Sequence, residues 1–129
     1  MNISILRGRL TADAEIRVKP EENQTETARF SLAVPDINRS DENGKHPVDF
    51  IKIVAFNSLA RNIGKYTKKG SEITVVGRIH TYSYKNKDDK TVYMTEIIAD
   101  RIEFISGCVS GADIADTPDE VPANDAPIN

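Results

Sequence analysis

Alternation of apolar and polar residues predicts a chain built mainly of short β-strands. Between residues 27 and 34, Ala28, Phe30, Leu32 and Val34 share one side with a period of two, the period of a strand with one buried face. Other stretches rich in β-branched residues are bounded by Gly, Pro, Asn or Asp, which favour turns. The predicted strands cover residues 2–10, 27–34, 48–56, 71–85 and 91–105.

A single helix is predicted after the third strand. Leu59 and Ile63 lie one helical turn apart there. Asn57 or Ser58 could cap its first turn, and Gly70 could end it. The order of three strands, one helix and two strands, the last two joined by a hairpin, is that of the all-β OB-fold, a five-stranded Greek-key barrel.

The last 24 residues differ from the rest in composition and charge. Residues 106–129 are rich in Gly, Pro, Asp and Ala, contain no aromatic residue, and carry five acids without a Lys or Arg. Such a segment cannot bury enough apolar surface to order itself. The net charge of −3 therefore divides into +2 for a predicted domain at 1–105 and −5 for a predicted disordered acidic tail at 106–129.

The sequence lacks the patterns that are typical of several other classes of protein. No apolar run approaches the roughly 20 residues needed to cross a bilayer, and the N-terminal residues do not resemble a secretion signal. Cys108 is the only cysteine, and His46 and His80 have no companions at metal-ligand spacing. No phosphate-loop, GxSxG or HExxH motif occurs. We therefore expect a cytoplasmic protein that is not an enzyme and has no metal, cofactor or membrane partner.

The third predicted strand carries two aromatic residues and a lysine on one side. Ile51, Ile53 and Ala55 alternate and are expected to fill the barrel. The residues expected to point outward are Phe50, Lys52, Val54 and Phe56.

The fourth predicted strand repeats this pattern of rings and cations. Its inward positions are predicted to be Ile73, Val75 and Ile79. The residues on its opposite face are Arg78, His80, Tyr82 and Tyr84. The hairpin that follows adds Lys85 and Lys87, and residues 80–94 hold three of the four tyrosines of the chain.

Exposed rings and cations on two strands favour binding to single-stranded nucleic acid. Cations follow the phosphates, and flat rings stack with unpaired bases at about 1–3 kcal/mol per base. The alternative is that tyrosines simply favour strands and that lysines keep an exposed edge soluble. The connection from Pro35 to Pro47, with Arg39, Lys45 and His46, either closes over a ligand or is a solvated loop.

Five segments of the chain resemble bacterial single-stranded DNA-binding proteins, in their order and near their spacing. These segments are GRLTADAEIR, FSLAV, DFIKIVAFNSLARNIGKYTKKGS, VVGRIHTYSY and YMTEIIAD. The resemblance runs from Asn2 to Ile105. It implies an OB-fold protein that binds single-stranded DNA without sequence preference during replication, recombination and repair, as a homotetramer, with a dimer as the alternative.

The resemblance also implies roles for individual residues. The base-stacking positions of the family fall on Phe50, Phe56 and Tyr84. Positions that line the path of the strand fall on Arg17, Lys52, Lys69, His80 and Tyr82. The chain departs from the family near Asn38, where a further aromatic is usual. It also departs at Arg7, within a strand that is usually more apolar and contributes to the dimer contact.

The C-terminus weakly resembles the family's acidic tip, which docks onto replication and repair proteins. The residues that match it are Asp125, Pro127 and Ile128. The alternative is a merely solubilising tail, and a short tail would suit a copy carried by a phage or mobile element. Two other functions remain open: an OB-fold adaptor that binds proteins, and a cold-shock-like RNA-binding role, which the chain length and the helix disfavour.

Overall fold

A computed structural model describes residues 1–108, apart from the side chain of Glu22. The predicted tail from residue 109 onward, including Asp125, Pro127 and Ile128, lies outside the described residues. Within the described part, no helix is long and apolar enough to cross a membrane. The elements are β1 (Ser4–Leu10), β2 (Glu15–Lys19), a 3₁₀ turn (Pro20–Glu22), β3 (Thr25–Pro35), β4 (Val48–Phe56), α1 (Ser58–Tyr66), β5 (Glu72–Lys85) and β6 (Thr91–Ser106).

Five of the six strands close into a barrel. The sheet order is β1-β5-β6-β4-β3-β2, and β1 also pairs with β3, which closes the ring. All pairs are antiparallel except β4 with β6. The helix α1 lies between the third and fourth barrel strands, β4 and β5. The predicted OB-fold is therefore confirmed.

The sequence patterns missed β2, which lies outside the barrel. Its five residues are all exposed, and it is held by antiparallel pairing with the edge of β3. Ile16 extends from β2 to α1, where its Cδ1 atom would be 3.2 Å from a Cβ placed on Gly64. A short edge strand that buries little surface gives only a weak apolar pattern, and this is why the segment was not recognised.

The barrel interior is filled mainly by the residues that alternation predicted. Ile53, Ala55, Ile73 and Val75 are at most 1% exposed, whereas Ile51 is only partly buried. Ile79 lies on the predicted side, opposite the buried Ile97, but it is 49% exposed and does not fill the interior. Strands β5 and β6 pair as far as Lys85 and Thr91, and this hairpin extends past the interior of the barrel.

Val54 also differs from its predicted environment. Its side chain lies on the outer face but is only 1% exposed. Arg29 on β3 and Ile98 on β6 are its partners in the sheet, one on each side. An outward position at the centre of a sheet is therefore not necessarily open to solvent.

The helix α1 is shorter than predicted, and a side chain caps it at its C-terminal end but not at its N-terminal end. The side chain of Asn57 makes no capping bond, and the Asn57 carbonyl accepts from the Arg61 N–H at 2.9 Å. At the other end Thr67 is extended, and its hydroxyl donates to the Ile63 carbonyl at 2.5 Å. Gly70 lies beyond the helix in a turn with φ of 90°, where its N–H donates to Leu10.

Two glycines permit close approach of neighbouring strands. A Cβ on Gly8 would overlap the carbonyl oxygen of Ala33, and a Cβ on Gly77 would overlap that of Ile98. Gly77 also adjoins a bulge at which the pairing of β5 with β6 shifts by one residue. Both sites leave no room for a side chain, because the opposing atoms belong to the backbone of the partner strand.

Candidate nucleic-acid interface

Cross-strand pairing brings most of the predicted binding residues onto one outer face of the sheet. Residues paired on neighbouring strands point to the same side. Arg17 pairs with Thr27, which pairs with Phe56, so these side chains form a row across β2, β3 and β4. We call this surface the aromatic face, and its predicted members are Arg17, Phe50, Lys52, Phe56, Arg78, His80, Tyr82 and Tyr84.

The rings of the aromatic face are open to a ligand. Phe50 is 68% exposed, Tyr84 49%, Phe56 39% and Tyr82 38%. His80 stacks beside Tyr82 with 6.1 Å between ring centroids and 24° between planes. Large exposed rings mark interaction sites when they cluster, and flat bases match such a surface.

Cations of the aromatic face differ in how firmly they are paired. Lys52 makes no ion pair with any residue between 1 and 108. Arg17 contacts Glu15 at 3.0 Å, and Arg78 contacts Asp100 at 2.5 Å. Ion pairs this exposed contribute little, so a phosphate can compete for both arginines.

The remaining predicted lysines lie away from the aromatic face. Lys85 is on the opposite side of β5 and contacts Asp89 at 3.9 Å, and Lys87 is exposed in the hairpin turn. Lys69 is exposed between α1 and β5, where its backbone N–H donates to Asp13 at 2.8 Å. A ligand that reaches these lysines would have to extend beyond the sheet.

The three tyrosines of the hairpin do not share one face. Tyr82 and Tyr84 lie on the aromatic face, whereas Tyr93 is opposite Ser83 on the reverse side and is 82% exposed. The hairpin therefore presents rings on both of its sides.

The sequence interpretation missed a groove at the centre of the aromatic face. It has a volume of about 370 Å³. Its polar lining comes from Arg29, Ser31, Lys52, Tyr82 and Glu96. The period of two in β3 could have revealed Arg29 and Ser31, because they alternate with the buried Ala28, Phe30 and Leu32.

The connection between β3 and β4 is held by its own hydrogen bonds. The Asp36 N–H donates to Pro47 at 2.8 Å and the Asp41 N–H to Lys45 at 2.7 Å. A ring nitrogen of His46 lies 2.6 Å from the Arg39 carbonyl oxygen. Both interpretations of this loop, closure over a ligand and a solvated turn, stay predictions.

Two further sets of groups in residues 1–108 bear on possible chemistry, the potential metal ligands and the Cys108 thiol. Across residues 1–108, no group of three or more His, Cys, Asp or Glu could hold a metal ion. Burial raises the pKa of the Cys108 thiol. This thiol therefore stays protonated at neutral pH, the less reactive form.

Comparison with known proteins identifies the family. The model of the Single-strand binding protein family matches residues 1–105. The chain belongs to this family. "Single-stranded DNA-binding protein 1" of Staphylococcus aureus strain Mu50 is 44% identical over 107 residues, which are 81% of this chain and 65% of that protein. "Single-stranded DNA-binding protein" of Oceanobacillus iheyensis is 41% identical, covering 81% and 63%.

A solved structure within the family supports the same placement. It is the "Plasmodium falciparum SSB complex with ssDNA", which superposes with a TM-score of 0.72 at 26% identity. The match covers 82% of this chain and 96% of that one. The chain thus matches less than two thirds of the length of the two curated relatives, but nearly all of the chain in the solved complex.

Proposed function

We propose that this protein binds single-stranded DNA without strong sequence preference and protects it during replication, recombination and repair. The observation that carries the proposal is the aromatic face, on which exposed rings and cations from three strands, β2, β4 and β5, point the same way. Family membership supports it, as does the similarity to the Plasmodium falciparum SSB, which was solved in complex with single-stranded DNA.

Binding combines stacking with neutralisation of phosphates. Bases lie on Phe50, Phe56 and Tyr84, each contributing about 1–3 kcal/mol. Lys52, free of ion pairs within the described chain, and the weakly paired Arg17 contact phosphates. Because every base has a flat face, this mode of binding tolerates any sequence.

Lysines outside the aromatic face extend the path of the strand. Lys69 beyond α1 and Lys85 and Lys87 at the hairpin are exposed and carry the charge that a longer DNA segment would meet. Asp125, Pro127 and Ile128 are proposed to contact replication and repair proteins.

The proposal includes self-association into a homotetramer, with a dimer as the alternative. Its support is the outward side of β1, where Ile5 is 67% exposed, and Ile3 just before it, at 62%. Apolar side chains this open at a strand edge favour contact with a second copy. Sedimentation equilibrium would give the mass, and a monomer at micromolar concentration would contradict this part alone.

The experiment that tests the function is fluorescence anisotropy of labelled oligo-dT against a duplex of equal length, at two salt concentrations. We expect tight binding to the single strand, little binding to the duplex, and weaker binding at higher salt. Weak binding to both ligands would contradict the proposal and would favour the OB-fold adaptor.

A further inference from the structure

One arginine that no sequence motif singled out lies at the centre of the aromatic face. Arg29 belongs to β3 and lines the central groove together with Ser31 and Lys52. It is paired with the outward-facing Val54 on β4, so its side chain leaves the sheet on the same side as the exposed rings. The binding mode proposed above gives this arginine no role.

The one ion pair of Arg29 in residues 1–108 carries its guanidinium across the sheet. Its Nη1 atom donates to Oε1 of Glu96 on β6 at 3.3 Å. Because β4 lies between β3 and β6, the side chain passes over β4 to make this contact. Val54, the β4 residue beside Arg29, is accordingly only 1% exposed although it points outward. The guanidinium therefore lies over the groove that Lys52 also lines.

Most of the hydrogen-bonding capacity of Arg29 is unused within the described part of the chain. A guanidinium offers several N–H donors in a planar fork, and Arg29 makes only the one long contact with Glu96 there. The Arg29 side chain is 51% exposed, whereas that of Glu96 is 9% exposed. A ligand therefore reaches the guanidinium more easily than the carboxylate, and the remaining donors suit a phosphate.

We propose that Arg29 and Lys52 together form a phosphate-binding subsite in the central groove, with the Ser31 hydroxyl as a further donor. The Glu96 carboxylate offsets part of the positive charge, but its single contact leaves other N–H groups of Arg29 open to a phosphate. An arginine can hold a phosphate through two parallel hydrogen bonds, whereas a lysine acts as a point charge. This inference rests on the proposed binding of single-stranded DNA and assigns one more contact to it.

The competing explanation is that Arg29 only neutralises Glu96. A buried carboxylate is costly unless it is paired, and that role needs no contact with DNA. Replacing both partners by glutamine removes the guanidinium but leaves the net charge of the protein unchanged. A variant of this kind separates the two explanations, because a change in overall charge cannot account for its effect.

The test compares the full-length wild type with the double variant Arg29→Gln/Glu96→Gln in anisotropy titrations of oligo-dT at several salt concentrations. We expect the double variant to bind about tenfold more weakly at low salt, the size of one charge-assisted hydrogen bond. The slope of log affinity against log salt concentration should become shallower by about 0.7, the value for one phosphate contact on a single strand.

A matched control removes another arginine–carboxylate pair from the same protein. Arg61 on α1 contacts Glu26 on β3 at 2.6 Å, and its side chain is 57% exposed, close to that of Arg29. Glu26 points to the side of β3 opposite to Thr27, which belongs to the row on the aromatic face. Arg61→Gln/Glu26→Gln should therefore keep the affinity and the salt slope of the wild type.

A measurement on the wild-type protein keeps the test decisive if the double variant does not fold. Phenylglyoxal modifies accessible arginines, and peptide mass spectrometry gives the rate at each one. Saturating oligo-dT should slow the modification of Arg29 and leave that of Arg61 unchanged.

Two outcomes would overturn the inference while leaving the proposed function intact. One is a folded double variant that binds oligo-dT with the affinity and salt slope of the wild type. The other, where that variant does not fold, is a rate of Arg29 modification that oligo-dT does not change. A wild-type protein that does not bind oligo-dT would overturn both the inference and the proposed function.

Discussion

Two phenylalanines on neighbouring strands show that the position of a residue in the fold decides whether its ring packs in the core or is available to a ligand. Phe30 on β3 faces the interior and is 7% exposed, whereas Phe50 on β4 faces outward and is 68% exposed. Burying a phenyl ring stabilises a fold by roughly 1.5–3 kcal/mol. Phe50 obtains little of this stabilisation within the chain, so its apolar surface is available to a ligand.

The rings of the aromatic face should contribute to binding, and the ring behind it should not. Phe50→Ala and Tyr84→Ala are each expected to weaken binding to oligo-dT by about 1–3 kcal/mol through lost stacking. Tyr93→Ala removes a more exposed ring from the reverse side of the same hairpin and serves as the control. Anisotropy titrations that show equal losses for all three would contradict the assignment of the face.

Close packing of the backbone at Gly77 should make this position intolerant of any side chain. Gly77→Ala forces its Cβ against the Ile98 carbonyl and is expected to destabilise the fold by about 1–3 kcal/mol. Gly64→Ala meets only the side chain of Ile16, at 3.2 Å from its Cδ1 and Cγ1 atoms, and gains helix propensity, so its effect should lie within about 1 kcal/mol. Urea unfolding of both variants measures the difference, and equal stabilities would contradict it.

At the scale of elements, the sequence predicted strands well where alternation coincided with burial. The cores of β3, β4 and β5 followed from Phe30, Ile53 and Ile73. The strand β2 could not be predicted in this way, because it is held by pairing with β3 and not by burial. The exposure of Ile79 likewise depends on how far the hairpin extends past the barrel, which no local pattern contains.

The candidate site could be predicted from the sequence only in part, for the same reason. Phe50, Lys52 and Tyr84 could be assigned to one side because period two fixes the side within a strand. The groove with Glu96 depends on which strands become neighbours, and β4 meets β6 although α1 and β5 separate them in sequence. Which strands become neighbours is non-local information, so local sequence patterns could not predict the groove.

The contact between β1 and β5 should make stability depend on pH. The Arg7 guanidinium, 2.8 Å from Glu72, lowers the pKa of that carboxyl from its ordinary value of 4.5, and the Ser106 hydroxyl adds to the effect. A lowered pKa in the folded state stabilises the fold above pH 4.5, and this contribution is lost as the pH falls through the folded value. Glu72→Gln should therefore be less stable than wild type at neutral pH and equally stable in acid.

Urea unfolding at a series of pH values would measure this dependence. The free energy of unfolding of wild type and Glu72→Gln should converge as the pH falls. A gap that stays constant from neutral to acidic pH would mean that ionisation of Glu72 does not stabilise the β1–β5 contact.

At the scale of the whole molecule, charge is divided between the two parts of the sequence. Residues 1–105 hold all 17 Lys and Arg with a net charge of +2, whereas residues 106–129 have a net charge of −5. A tail of this sign is attracted to the cations that DNA would use, over a distance of about 10 Å at 0.1 M salt.

Removal of the acidic residues should therefore tighten DNA binding at low salt. A chain ending at residue 108 is expected to bind oligo-dT more tightly than the full chain in dilute buffer, and equally at high salt where screening is strong. A matched control keeps the length and replaces the five acids by Asn or Gln. Equal affinities of all three proteins at low salt would show that the tail does not compete.

The barrel is joined along two short seams. Strand β1 meets β3 at two residue pairs, and β4 meets β6 at two more. These seams divide the strands into two halves. One half contains β1, β5 and β6, and the other contains β2, β3 and β4. The groove is lined by residues of both halves, Lys52 on β4 and Tyr82 on β5. We expect single-stranded DNA bound there, as proposed, to slow the separation of the two halves, so that amide hydrogens at Ile53 and Ile97 exchange more slowly in its presence.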